Sequence, residues 1–222
     1  MTRRKFLERK RRVRILNAKL KQLFPEKQIT GLRHRSHWQL VVAVILSAQT
    51  TDKKVDEVTA RLFKKYRTLN DYLHAPLKEF TYSVKEIGLY RNKAKNILAA
   101  AYIVKERYGG RIPKTMMELM QLPGVGRKTA NVVLGNAYGV IEGIAVDTHV
   151  KRFAQKFNLT DYADPKKIER DFMKLLPAHE WFGFSNRLIR YGRDICPARV
   201  HDCVDHPLTK LYPLAAKRWP RT

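Results

Sequence analysis

Apolar residues recur along this chain at helical spacing and hardly anywhere at the alternating spacing of a half-buried strand. Val13, Leu16, Leu20 and Leu23 share one helical face, as do Val55, Val58, Leu62 and Phe63. Ala94, Ile97, Leu98, Ala101 and Val104 form a third stripe, and Ile168, Phe172, Leu175 and Leu176 a fourth. Pro25, Pro76, Gly88, Gly109-Gly110, Pro123 and Pro165 punctuate them at intervals suited to ordinary helices. There is no repeat and no low-complexity tract. The pattern predicts an all-α fold, and a chain of 222 residues has room for one or two domains.

Charge narrows the choice of partner. Lys and Arg number 45 against 20 Asp and Glu, a net +25. Residues 3–21 carry ten basic residues opposed only by Glu8, yet the rest of the chain still holds 35 basic residues against 19 acidic. A field of this size over the whole molecule points to a polyanion, with nucleic acid first and an anionic membrane or ribosomal RNA second. Two cysteines, Cys196 and Cys203, are too few for a secreted disulfide framework. The longest apolar run, Leu40–Ser47 with Ala48, is far short of the roughly 20 residues of a membrane span. No apolar stretch of the secretory type follows the basic start. The expected setting is therefore intracellular, which in a bacterium or archaeon means cytoplasmic and nucleoid-associated, with an Arg-rich organellar transit segment as the alternative.

The segment with chemistry in it runs from Thr115 to Arg152. Thr115-Met116-Met117-Glu118 matches a capping box and predicts a short helix. Leu122-Pro123-Gly124-Val125-Gly126-Arg127-Lys128-Thr129 follows, then Ala130, Val133, Leu134 and Ala137 on one helical face. This reads as helix, tight glycine turn, helix, with the free N–H groups of the second helix available to a phosphate. A Walker loop would need glycine where Arg127 stands, and the dinucleotide fingerprint would need glycine at Thr129. Lys128 falls in the first turn of its helix, where the macrodipole disfavours an ammonium. Burial would disfavour it further and free the amine to form a Schiff base. Asp147, in Val146-Asp147-Thr148-His149, has the chemistry to stabilise a cationic transition state or to move protons for the lysine. Standing alone, Lys128 would read as a phosphate-binding surface lysine and Asp147 as a helix N-cap.

Leu122–Leu134 with Ile144–Val150 resembles the signature of the endonuclease III family of helix–hairpin–helix DNA glycosylases. Leu46-Ser47-Ala48-Gln49-Thr50-Thr51-Asp52, Ile87-Gly88-Leu89-Tyr90-Arg91-Asn92-Lys93-Ala94 and Tyr191-Gly192-Arg193 extend the resemblance over nearly the whole chain. It implies a two-domain, all-α protein with a cleft for bent duplex DNA. A six-helix bundle would span 30–138, and residues 1–29 with 139–222 would form the second domain. It further implies that Lys128 is the nucleophile and Asp147 the catalytic aspartate. Gln49 would fill the gap left by an extruded nucleotide, with Leu89 as the wedge beside it. By themselves, those two would read as a helix-end polar group and a core leucine. Leu122, Gly124, Val125, Gly126, Arg127, Thr129 and Arg193 complete the expected DNA contacts.

The implied function is base excision repair by a monomer on double-stranded DNA: removal of oxidised pyrimidines through a Lys128 Schiff base, then nicking by β-elimination. A monofunctional mismatch glycosylase and a non-catalytic DNA-binding protein are the alternatives; Lys128 speaks against the first, and the Lys128–Asp147 pair against the second. The tail departs from the family. Where the resemblance implies four cysteines spaced Cys-x6-Cys-x2-Cys-x5-Cys around a [4Fe–4S] cluster, this chain has Cys196, Cys203, His206 and Tyr212. No cluster is expected, because such ligation needs four thiolates. The loop is expected to be held by packing and by basic contacts to phosphate, with no metal. Zinc on Cys196, Cys203 and His206, with His201 near, is the less favoured alternative. Arg190, Arg193, Arg199, Lys210, Lys217 and Arg218 make this region basic enough to reach the second strand.

Overall fold

The apolar stripes become helices in the computed structural model, which describes residues 2–25 and 32–218. In chain order these are α1 (Arg3–Leu23), α2 (His37–Ser47), α3 (Asp52–Lys65), α4 (Leu69–Leu73), α5 (Leu77–Ser83) and α6 (Tyr90–Tyr108). They continue as α7 (Met116–Leu119), α8 (Arg127–Tyr138), α9 (Thr148–Lys156), α10 (Pro165–Leu175) and α11 (Ala178–Asp194), with a 3-10 turn at Pro213–Lys217. Among the described residues there is no strand, and no helix is long and apolar enough to cross a membrane.

Two compact units divide the chain. The central unit is Ile29–Glu142, and the terminal unit joins Met1–Gln28 to Gly143–Thr222. The sequence-based break between 138 and 139 falls at the end of α8, where Gly139 closes the helix in the left-handed region at φ 66°. The other expected break, between 29 and 30, lies outside the described residues.

The central unit is organised around α2. Nine consecutive residues, Trp38 to Leu46, are buried, so this helix is enclosed on every face. It packs against α3, α6 and α8. Ser36 starts it, its hydroxyl oxygen accepting from the Gln39 amide at 3.2 Å. An aromatic cluster of Trp38, Tyr66, Tyr72 and Phe80 fills one end of the unit, with ring centroids 5.2–5.5 Å apart, mostly edge to face.

In the terminal unit, α1 packs on α10 and α11, and α9 on both of them. Val13, Leu16 and Leu20 meet Phe153, Ile168, Phe172 and Phe184 in a single core. Part of the basic N-terminal segment is structural. Arg9, only 1% exposed, donates to both oxygens of Asp161 at 2.7 and 3.1 Å and to the Asn158 carbonyl at 3.1 Å. Arg12 donates to the carbonyls of Phe157 and Asn158 at 3.2 and 2.9 Å, which satisfies the C-terminal end of α9. Arg3, Arg4, Lys10, Arg11 and Arg14 are exposed.

Arg9, and after it Lys5, hold the Asp161 carboxyl down at about 2. A depressed carboxylate stabilises the fold above its unfolded range and loses that contribution as pH falls through its folded value. Asp161→Ala should therefore cost about 2 kcal/mol at pH 7, below the full buried-pair range because Asp161 is half exposed and Asn158 still serves Arg9. Urea unfolding of both proteins should show the difference shrinking as pH is lowered from about 4 toward 2.

Candidate functional site

Residues 115–129 form the helix–turn–helix that the glycines predict. The Thr115 hydroxyl oxygen accepts from the Glu118 amide at 3.3 Å and donates to Glu118 Oε2 at 2.7 Å, which starts α7. The turn closes with the Leu122 amide donating to the Leu119 carbonyl and the Val125 amide to the Leu122 carbonyl, at 3.1 and 3.0 Å. Leu122 and Val125 are buried and anchor the turn in the core, so what they offer at the surface is backbone. Gly124 sits at φ 81°, and a Cβ there would lie 3.1 Å from Asn96 Cβ and 3.3 Å from Ile45 Cγ2. Glycine is needed at that position for conformation and for space. A Cβ on Gly126 would meet nothing within 4 Å, and α8 begins there with no side-chain cap. That is an open helix N-terminus, the arrangement that receives an anion.

Lys128 is the second residue of α8 and is exposed; Arg127 and Thr129 beside it are half-buried. The expectation that burial acts on its amine is corrected here. Ala130, Val133 and Leu134 take the core side of α8, which leaves Lys128 on the open side of the turn.

Gln49 and Leu89 belong to the same unit and share an unusual feature. Among the described residues, the non-glycine positions with positive φ are Gln49 (55°), Leu89 (57°) and Asn158 (51°). Left-handed backbone costs roughly 1–2 kcal/mol at an L-residue and marks places where function accepts strain. Both side chains are exposed, and Leu89 at 59% is no core leucine. Their loops adjoin: a Cβ on Gly88 would lie 3.3 Å from the Gln49 carbonyl oxygen and 3.6 Å from Thr50 Oγ1.

A lysine that the motifs did not single out ties these loops together. Lys93, in the second turn of α6, is buried, and its ammonium donates to the carbonyls of Leu46 and Ala48 and to Thr50 Oγ1. It thereby serves the C-terminal end of α2 and holds the segment carrying Gln49. Burial pushes its amine down to about 8. The sequence contains a signal for this position, since Lys93 stands four residues before Ile97 and shares its face.

Asp147 lies in the terminal unit, half-buried, as the N-cap of α9, with its Oδ1 accepting from the Val150 amide at 2.9 Å. The helix-cap reading and the chemical one are compatible, because one carboxylate oxygen serves the cap and the other has no partner among the described residues. The segment leading to it is held from within. Glu169 accepts from the Ile144 amide at 3.2 Å, and the Ser185 hydroxyl donates to the Ala145 carbonyl at 2.6 Å. Sequence reasoning missed both, because nothing local marks an acid or a serine whose partner is more than twenty residues away. Arg193 is exposed in the last turn of α11. Beside it Gly192 lets α11 approach α9, where a Cβ would collide with His149 and come within 3.0 Å of Phe153.

The tail does not fit a four-thiolate cluster. Cys196 and Cys203 are buried and free. Tyr212 packs instead with its ring under the Arg12 guanidinium, 4.2 Å from centroid to Cζ, and beside Phe157. The single O–H of Thr209 lies within reach of the carbonyls of Cys203 and His206, and Leu208 is buried. The third residue whose donor atom joins the two sulfurs is His201 rather than His206.

Comparison with known proteins gives one consistent picture. Residues 42–178 match the family described as HhH-GPD superfamily base excision DNA repair protein. The chain is 43% identical to endonuclease III of Synechocystis sp. over 212 residues, 96% of each protein. It is 44% identical to endonuclease III of Bacillus subtilis over 201 residues, covering 90% of this chain and 91% of that one. Among solved structures, a trapped endonuclease III–DNA covalent intermediate in an estranged-adenine complex superposes with a TM-score of 0.88 at 42% identity, covering 94% of this chain and 97% of that chain. A thermostable thymine-DNA glycosylase shares the fold, with a TM-score of 0.79 at 24% identity.

The strain at Leu89 gives a stability test. Leu89→Gly should raise stability by about 0.5–1 kcal/mol in urea unfolding, the relief of left-handed strain exceeding the added unfolded-state entropy. A loss of stability would show that the leucine side chain contributes packing that its exposure does not suggest.

Proposed function

Since the chain belongs to the HhH-GPD superfamily of base excision DNA repair proteins, within its endonuclease III family, we propose that it is a bifunctional DNA glycosylase and abasic-site lyase acting on duplex DNA. The observation that carries this reading is Lys128, an exposed primary amine in the first turn of a helix whose N-terminus is open beside Gly126. The helix–hairpin–helix grips a phosphate through backbone N–H groups, and the net +25 supplies the long-range attraction. Leu89 enters the base stack as the wedge and Gln49 fills the space of the extruded nucleotide; Arg193 contacts the backbone. A damaged base is the least costly to extrude, which supports oxidised pyrimidines as the substrate class.

In the reaction, the Lys128 amine attacks C1′ and the base departs with the bonding electrons. The carboxylate of Asp147, one oxygen fixed by the Val150 amide, offers the other to the positive charge on the sugar and to the proton released by the amine. The amine and the opened sugar form an imine, which acidifies C2′. Loss of that proton expels the 3′ phosphate and nicks the strand. Hydrolysis of the imine restores Lys128. No step passes through a metal or cluster, and with two cysteines in 222 residues this chain does not hold a four-thiolate [4Fe–4S] centre. Its substrate places it with the cell's duplex DNA.

Borohydride trapping tests the nucleophile directly. The protein incubated with an abasic-site duplex or a thymine-glycol duplex should give a covalent protein–DNA band on both. Lys128→Ala should abolish the band, and Asp147→Asn should slow its formation by about 100-fold or more. Tight binding with no band on either duplex would instead favour the monofunctional or non-catalytic reading.

Leu89→Ala should separate the steps. Excision of a stacked, paired lesion should fall about tenfold while cleavage of a ready-made abasic site changes little, since no base remains to be extruded. Equal losses on both substrates, measured by single-turnover strand cleavage, would place Leu89 in general DNA binding.

A further inference from the structure

The two cysteines of the terminal unit do not stand alone. The sulfurs of Cys196 and Cys203 and a ring nitrogen of His201 all lie within 4.8 Å of one another. Tetrahedral zinc sets its sulfur and nitrogen donors about 3.5–3.8 Å apart. Small side-chain movements, about 1 Å or less each, would therefore close the set around one ion. The His201 tautomer is fixed by its neighbour. Nδ1 lies 2.8 Å from the Arg199 carbonyl, an oxygen that only accepts, so Nδ1 carries the proton and Nε2 keeps the lone pair. A backbone carbonyl holding one ring nitrogen while the other ligates is the usual support of a metal-bound imidazole. The His206 ring lies beside His201, centroids 5.1 Å apart, and its Nδ1 is buried with no hydrogen-bond partner among the described residues. Its ring stands beside His201 as a further nitrogen donor.

The Cys196 sulfur sits between two opposed influences. Burial pushes the Cys196 thiol up, while Lys156 and Arg152 work against it. Lys156 Nζ donates to Cys203 Sγ at 3.3 Å and Arg152 reaches Cys196 Sγ at 3.9 Å, so buried N–H donors face both sulfurs. A thiolate with a metal ion on one side and an N–H donor on the other answers both influences, since the ion takes up the charge that burial opposes.

We propose that this chain binds one divalent transition-metal ion, with zinc the natural occupant, through Cys196 Sγ, Cys203 Sγ and His201 Nε2, a mononuclear site standing where the family resemblance implies a four-thiolate cluster. Binding breaks the two S–H bonds, forms two metal–sulfur bonds and one metal–nitrogen bond, and releases two protons to solvent. No electron is transferred. The site is structural: it ties the two ends of the 196–203 loop and His201 to one centre, beside the α9 residues Arg152 and Lys156 that already donate to the sulfurs.

The test is made on the full-length protein and needs no DNA. Elemental analysis of the protein purified with zinc present should give one zinc per chain after dialysis. Titration of the metal-free protein with cobalt(II) should give cobalt–thiolate charge-transfer bands and the visible bands of a tetrahedral site, saturating at one equivalent. His201→Ala and Cys203→Ser should each weaken cobalt affinity by about 100-fold, at least the top of the range seen when groups merely supporting a ligand are lost. His201 is partly exposed, so its variant keeps the test open if the buried cysteine variant fails to fold. Absence of the charge-transfer bands, binding undiminished in both variants, or iron and sulfide in place of zinc would each overturn the site. A failed trapping experiment would leave it untouched, because the optical signal does not depend on activity.

Discussion

A helix enclosed on every face has to find partners for its last carbonyls without water. In α2 the Ser47 hydroxyl and the Thr50 amide serve the carbonyls of Val44 and Ser47, and one buried amine serves the rest of the exit: Lys93 reaches back from α6 to the carbonyls of Leu46 and Ala48. An unpaired buried carbonyl costs about 1–3 kcal/mol, and a buried ammonium without acceptors costs more, so each needs the other. The chain leaving α2 is thereby held through Thr50 as well, and the strained Gln49 lies between two fixed points. Gly88 lets the loop before α6 come up against it, where Leu89 takes the same left-handed conformation. Two exposed side chains are thus set out from a rigid frame by an interaction that belongs to the core. Strain of this kind persists only where the surroundings over-determine it, and here the surroundings are the end of α2 and the start of α6.

Helix starts carry the proposed chemistry in both units, and they do so in opposite ways. At α8 the N-terminus is left open: Gly126 brings no side chain, and the space where its Cβ would stand is empty. Positive potential and free donors then face outward, as a phosphate requires. At α9 the N-terminus is closed by Asp147, whose carboxylate is both cap and candidate charge stabiliser. A cap of this kind fixes the rotamer of the side chain it uses, so the second oxygen is presented in one direction without further support. The buried Glu169 and Ser185 settle the backbone that delivers it.

Much of this was legible in the sequence because it is local. Helical stripes, the Thr115 cap, the Gly124-Val125-Gly126 turn and the N-cap position of Asp147 all depend on spacings of a few residues, and spacing survives in a bare sequence. What was not legible depends on partners far along the chain. Lys93 shares the apolar face of Ile97, but its acceptors stay hidden until α2 is found to end beside it. Arg9 reads as part of a DNA-attracting segment until Asp161 and the end of α9 claim it. The exposure of Lys128 is undecided in the sequence for a related reason, since a helix's first turn can face the core or solvent and only the packing of Ala130, Val133 and Leu134 settles which.

The tail shows how a loop can keep its course when its ligands change. A four-thiolate cluster would tie residues 196, 203, 206 and 212 to one centre, and this chain replaces two of those ties with different physics. At 212 a tyrosine ring fills the space between the Arg12 guanidinium and Phe157, exchanging a ligand bond for stacking and apolar contact. At 206 the bonds run through the backbone, the His206 amide donating to the Cys203 carbonyl at 3.2 Å and the Lys210 amide to the His206 carbonyl at 3.0 Å. The remaining cysteines stay buried against Arg152 and Lys156, which give the sulfurs N–H donors that a purely apolar pocket would lack. Arg152 also donates to the Cys196 carbonyl at 2.7 Å, so α9 holds the start of this loop by its backbone as well as by its sulfur. Burial by itself opposes charge on Cys196, so that sulfur gives up its proton only where positive charge stands close to it, from Lys156, from Arg152 or from a bound metal ion.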